Sequence, residues 1–153
     1  MKHIRKAAPQ DASRIAEILI FAKRTAYRSI FHNDAVSFGE MQVLPLALDY
    51  LEGRESLDHV WVYDDAFVRG MVRAENGEVK ELYVDPFFQG AGIGGKLLHF
   101  AVERQNARRL WVLEKNRKAI AFYAARGFLP TGEREQEPGT PEYIIKMAHP
   151  SAP

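Results

Sequence analysis

The sequence predicts an α+β domain with a mixed, mainly antiparallel twisted sheet and flanking helices, and three observations carry that prediction. Residues 60–63, 66–74 and 79–84 are β-rich runs separated by Asp64-Asp65 and Asn76-Gly77; turns that short join antiparallel neighbours. A helix-patterned stretch then separates the third run from Leu110, Trp111, Val112 and Leu113, and strand, helix and strand in that order imply one right-handed parallel step. Ahead of them all, Ile15, Ile18, Leu19 and Ala22 recur at helical spacing. One sheet with helices packed on it satisfies all three.

The 153 residues suffice for one domain with a sizeable core, and 46% hydrophobic with 27% charged residues is a globular composition. Lys plus Arg number 21 against 20 for Asp plus Glu, so the chain has no overall basic footprint for nucleic acid and any anion site must be local. With no cysteine, a disulfide framework, a thiolate metal cluster and a cysteine nucleophile are all excluded. The opening MKHIRKAAPQ lacks an apolar leader core, and no stretch reaches the roughly 20 apolar residues of a membrane span. The expectation is a cytoplasmic protein with no nucleic-acid or membrane partner.

Asp11 is placed to cap a helix over residues 12–28. From Ile30 to Gly53 the pattern weakens: His32, Asn33 and Asp34 read as loop, and Pro45 restricts helix to short pieces around Met41 and Tyr50. This is the expected variable lid. Asn76-Gly77 suits a type I′ turn, whose central residues both need positive φ. Ile93, Leu97, Leu98, Ala101 and Val102 share one helical face. Asn116 is placed to cap a short helix carrying Ala119, Ile120, Phe122 and Tyr123, with Gly127 as its stop. Phe128 and Tyr143, Ile144 and Ile145 suggest two closing strands. Trp61 and Trp111 read as core; Phe87 and Phe88 read as core or as the border of a cleft.

Between strand and helix lies Gln89-Gly90-Ala91-Gly92-Ile93-Gly94-Gly95-Lys96. Small residues there leave backbone N–H groups converging at a helix N-terminus, a site suited to a phosphate or pyrophosphate. The plainer alternative is a tight turn needing glycine only for its φ angles. Three phosphate motifs overlap. Gly90, Gly92 and Gly95 spell G-x-G-x-x-G with Glu114 about 20 residues on, the dinucleotide fingerprint, although too little chain follows to complete a doubly wound sheet. Gly90, Gly95 and Lys96 begin a P-loop, but Leu97 stands where Ser or Thr should hold Mg²⁺. Gln89, Gly92 and Gly94 spell Gln-x-x-Gly-x-Gly, which also accommodates the preceding strand and the following helix.

On these residues the chain resembles the GNAT superfamily of N-acetyltransferases. Leu82-Tyr83-Val84-Asp85-Pro86, Gln89 through Leu98, and Asn116, Ala119, Phe122, Tyr123, Gly127 and Phe128 occur in that family's order and approximate spacing. The resemblance implies a single GNAT-like N-acetyltransferase domain over residues 1–149, followed by a loose tail at 150–153. It implies acetyl-CoA as cosubstrate, bound by Leu82, Tyr83, Val84, Gln89, Gly90, Ala91, Gly92, Ile93, Gly94, Gly95, Lys96, Asn116 and Tyr123. It also implies acetyl transfer to a primary amine of a small molecule or peptide, by direct attack in a ternary complex. A homodimer is compatible with it. The region from Phe21 to Leu57 resembles nothing specific, and the family varies there with its acceptor.

The resemblance gives the strand through Leu82, Tyr83 and Val84 the task of aligning pantetheine through its main chain, with N–H groups that polarise the thioester carbonyl. Two roles are open to Asn116, a pantetheine hydrogen bond and a plain helix cap. Tyr123 is the expected general acid, because coenzyme A leaves as a thiolate that a phenol can protonate; the alternative is a core aromatic. A protonated amine must lose a proton before it attacks, and Glu81 and Glu78 are the candidate bases; Glu81 is expected on the strand face of Val79 and Tyr83. Either is also readable as a surface or ion-paired carboxylate, Glu78 more so than Glu81. Lys96, Arg104, Arg108, Arg109, Lys115, Arg117, Lys118 and Arg126 oppose only Glu103 and Glu114 in their segment, a local excess that complements coenzyme A's phosphates or simply solvates helix faces. The five histidines are dispersed, and no metal site is expected. Two other classes stay open: an acyl-CoA sensor without catalysis, and a dinucleotide-binding domain.

Overall fold

The computed structural model describes residues 1–31, 46–47, 49–50 and 56–150. Its elements are β1 (Ile4–Lys6), a 3-10 turn (Pro9–Asp11), α1 (Ala12–Phe31), β2 (Val60–Asp65), β3 (Phe67–Glu75), β4 (Glu78–Val84), a 3-10 turn (Pro86–Phe88), α2 (Ile93–Gln105), β5 (Arg109–Leu113), α3 (Arg117–Ala124), β6 (Leu129–Gln136) and β7 (Tyr143–Ala148). Most of the expected lid, with Met41, lies outside the described residues, as do residues 151–153 of the tail. Leu46, Ala47, Asp49 and Tyr50 are helical, in line with a short piece at Tyr50.

One seven-stranded sheet has the order β1-β2-β3-β4-β5-β7-β6. Among the described residues every pairing is antiparallel except β4 with β5, so the mixed sheet with one parallel step is as expected, and the doubly wound dinucleotide fold is excluded. Asn76 and Gly77 have φ of 53° and 76°, the geometry of a type I′ turn. The three-residue β1 pairs with β2 and left no periodicity to read.

Each face of the sheet has its own core. Ile15, Ile18 and Leu19 of α1 bury against Val60, Val62, Val68 and Met71. On the other face, Ile93, Leu97, Leu98 and Ala101 of α2 bury with Val72, Val79, Leu110, Phe128 and Met147. Trp61 and Trp111 are half-buried, Trp61 stacking on Phe100 at 5.6 Å. Phe87 is 92% exposed and is no core residue, whereas Phe88 packs on Phe67 at 5.2 Å.

Asp11 does not cap α1. Pro9 starts the winding early, so Asp11 lies inside the 3-10 turn and accepts the Ala8 N–H at 2.8 Å. Its carboxylate also accepts two Arg5 hydrogen bonds, at 2.8 and 2.9 Å, which bind β1 to the root of α1. Arg5 holds the Asp11 carboxyl below the usual carboxylate range, against the cost of burial and with help from the Ala8 N–H. A depressed folded value means stabilisation that is complete above the unfolded carboxylate range and is lost as pH falls through the folded value. From about pH 5 downward, the thermal midpoint of Asp11→Asn is expected to fall less steeply than that of the wild type, with the two converging in acid. Parallel melting-point curves would refute this.

Candidate active site

The site begins with a bulge. On β3 the successive residues Arg73 and Ala74 pair with Glu81 and Val79, which leaves Lys80 as an extra residue in β4. Strand alternation is broken there, so Glu81 shares a face with Tyr83 and Arg73 toward α1, while Val79 faces α2. The expectation that Glu81 and Val79 share a face is thereby corrected. The parallel ladder with β5 stops at the same place: Glu78 pairs with Arg109 and Val79 with Leu110, and no further pair forms. Beyond the bulge the strands part, with β5 held along its length by β7.

The edge of β4 in this split keeps unpaired backbone groups. The Asp85 N–H donates to Arg69 O on β3 at 2.9 Å, so by alternation the N–H groups of Val84 and Leu82 point into the split and that of Tyr83 points to β3. The Tyr83 ring lies toward α1, 5.8 Å from the Lys23 ammonium. Gln89 is engaged at the loop's own root, its side-chain amide donating to Val84 O at 3.1 Å.

The split opens toward the N-terminus of α2. Gly92 is the N-cap, with φ 82° and no side-chain hydrogen bond to the cap. The first intrahelical bond comes from Lys96 N–H to Gly92 O, which leaves the N–H groups of Ile93, Gly94 and Gly95 for an anion. The glycines have separate tasks. Gly90 and Gly92 have positive φ and nothing within 4 Å of a built Cβ, so the space above them is open. A Cβ at Gly94 would lie 3.4 Å from Phe122 and 3.7 Å from Val84, and one at Gly95 would lie 3.1 Å from the Arg126 guanidinium. The turn geometry is met by positive φ at two positions, and the N-terminus of α2 has no side-chain cap. Ala91 is exposed within the turn. Lys96 is exposed, with its ammonium 5.7 Å from the Tyr63 ring.

α3 closes the far side. The Asn116 side-chain oxygen accepts the Ala119 N–H at 3.2 Å, so the capping role is filled by the oxygen. Tyr123 is half-buried, edge-on to Phe122 at 5.3 Å and to Phe128 at 6.1 Å. Phe122, touching the position above Gly94 beside Val84, ties α3 to the loop and to the end of β4.

Both candidate carboxylates are engaged. Glu81 accepts from Arg73 at 2.9 Å and lies 3.9 Å from Lys23; Glu78, still within the paired ladder, lies 3.3 Å from Lys80 and 3.7 Å from Arg109. Burial opposes the Arg73 charge, but the Tyr50 hydroxyl and the Glu81 carboxylate outweigh it, and the guanidinium is held more firmly than usual. The Arg14 guanidinium fixes the turn after β4, donating to Asp85 at 2.5 Å and to Val68 O at 2.8 Å. Sequence reading missed Arg14 and Arg73, because their partners lie 71 and 8 residues away across the fold. Glu114, the acidic residue of the dinucleotide fingerprint, is exposed and paired with Arg134 at 2.8 Å.

The sequence model of the acetyltransferase (GNAT) domain matches residues 56–130, from just before β2 to the first residues of β6, the stretch that builds the bulge, the loop and α3. Over that stretch, just under half of the chain, the sequence is that of a GNAT acetyltransferase domain. An uncharacterized N-acetyltransferase of Methanocaldococcus jannaschii is 39% identical over 70 residues, 42% of this chain and 31% of the relative. The peptidyl-lysine N-acetyltransferase YjaB of Salmonella typhimurium is 33% identical over 70 residues, 45% of this chain and 48% of that protein. In each case the alignment spans less than half of the relative's length. The GNAT fold extends further than these alignments: the apo form of YjaB from Escherichia coli superposes with a TM-score of 0.76 at 22% identity, covering 97% of both chains. The PaiA N-acetyltransferase of Thermoplasma acidophilum, solved in complex with coenzyme A, gives 0.63 at 20% identity, covering 95% of this chain and 98% of the other.

Proposed function

We propose that this GNAT domain transfers an acetyl group from acetyl-CoA to a primary amine by direct attack within a ternary complex. The observation that carries the reading is the end of the β4–β5 ladder at Val79 and Leu110, which opens a backbone edge leading to the uncapped N-terminus of α2. Coenzyme A offers matching groups in matching order: a pyrophosphate for the α2 N–H groups, an amide-bearing arm for the edge of β4, and a thioester beyond it. The coenzyme supplies the activated acetyl group; this chain supplies position and proton transfer.

In this reading Leu82 and Val84 treat the arm as an added strand, and a β4 N–H directed into the split polarises the carbonyl. Glu81 faces the α1 side of the split, from which the amine would approach, and takes its proton directly or through one water. Tyr123 returns a proton to the departing thiolate. Glu81 is preferred to Glu78 because it lies beyond the bulge, where the strands have parted. Glu81→Gln is expected to lower kcat about 100-fold, while Glu78→Gln leaves it nearly unchanged. The reverse pattern would transfer the role to Glu78.

YjaB is named a peptidyl-lysine N-acetyltransferase, which makes the ε-amine of a lysine peptide the first acceptor to test. Calorimetric titration with acetyl-CoA, with NAD in parallel, followed by a thiol-release assay on lysine peptides and small amines, tests the whole reading. Selective binding of acetyl-CoA with amine-dependent thiol release is expected. A preference for NAD, or no binding, would overturn it, and binding without turnover on any amine would reduce the chain to an acyl-CoA sensor.

A further inference from the structure

The local cationic excess of the sequence is sorted by the fold. Arg108 donates to Val102 O and Ala107 O, Arg109 to Asn76 O, and Lys115 to Glu142. Of the eight cations, only Lys96 and Arg126 line the groove of about 480 Å³ that starts at Gly92 and continues beside α2 past Gly95 and His99 to Glu103. At 1.5 Å per residue this stretch of α2 is roughly 16 Å long. His149 also lines the groove.

Arg126 is pre-set in this groove. Its guanidinium lies over the Phe122 ring at 3.9 Å, and Nη1 donates to Phe122 O at 3.0 Å. The opposite edge, Nε with Nη2, lies across Gly95, each atom 3.1 Å from where a Cβ would stand. Among the described residues that edge has no hydrogen-bond acceptor, and a side chain at position 95 would crowd it. A planar fork fixed on one side and open on the other is the geometry in which arginine takes a phosphate bidentately. The fork lies about one turn beyond the α2 N-terminus, whose own N–H groups serve the pyrophosphate.

We propose that Arg126 binds the ribose 3′-phosphate of coenzyme A and so selects the 3′-phosphorylated coenzyme over its dephospho form, an inference that rests on the acetyl-CoA reading above. A pyrophosphate-bearing ligand whose thioester arm enters the split must send its nucleotide end the other way, and the groove beside α2 is continuous with the loop on that side. The 3′-phosphate is the terminal, most highly charged group of that end. Glu103, at the far end of the groove, disfavours a second anion there and confines the phosphate to the end near Arg126 and Lys96.

The test is calorimetric titration of wild type, Arg126→Ala and Arg126→Lys with coenzyme A and with 3′-dephospho-coenzyme A. Wild type is expected to prefer coenzyme A by about tenfold, as one exposed charge-assisted contact provides. Arg126→Ala should erase the preference by weakening coenzyme A alone, and Arg126→Lys should keep part of it. The dephospho affinity of each variant reports whether its site is intact. Equal weakening of both ligands, an unchanged preference in Arg126→Ala, or no preference in wild type would each overturn the assignment while leaving the acetyl-CoA reading in place. Wild type binding neither ligand would overturn both.

Discussion

Gly92→Glu is expected to weaken coenzyme A binding by at least about 100-fold, the largest effect of any single substitution in the loop. Two separable causes act together. Gly92 has φ 82°, where a side chain costs on the order of 1–2 kcal/mol, and the space above it is open, so the new carboxylate has room to settle over the α2 N–H groups. A negative charge there is favourable to the helix, and the chain would supply its own anion where the pyrophosphate is proposed to sit. Gly92→Ala carries the backbone cost without the charge and should lose less than about tenfold. Titrating both variants with coenzyme A separates the causes, and wild-type affinity in Gly92→Glu would remove the loop from the binding site.

Tyr123→Phe is expected to lower kcat by about 100-fold with little change in coenzyme affinity. The ring contacts to Phe122 and Phe128 are retained by phenylalanine, so packing is conserved and only the hydroxyl is lost. One hundred-fold is the lower end of what a positioned general acid contributes. The fall should be visible in single-turnover thiol release. An acetyl donor with a better leaving thiol should recover part of the loss. Unchanged turnover would leave Tyr123 as a core aromatic, the alternative its helical spacing also allows.

The order of elements was legible because local chemistry dictates it. Asn76-Gly77 takes the positive φ angles its turn requires, Ile93, Leu97, Leu98 and Ala101 form the buried stripe of α2, and Asn116 caps α3 as its position suggests. The glycines of the loop were visible for the same reason, since positive φ and close approach are properties of single residues. Asp11 was misplaced by three residues because Pro9 starts the winding one turn early, a competition between two adjacent helix-initiating signals.

By itself, then, the sequence determined the mixed sheet, its single parallel step and the uncapped glycine loop, all of which follow from periodicity and from backbone preferences spanning a few residues. Only the tertiary structure decided which face Glu81 occupies, because the bulge at Lys80 is a property of how β4 registers against β3. It also decided which cations remain available to a ligand. Arg108, Arg109 and Lys115 are drawn off by backbone oxygens and carboxylates, and Arg126 alone is laid across Gly95, because hydrogen-bond partners are chosen in space rather than along the chain.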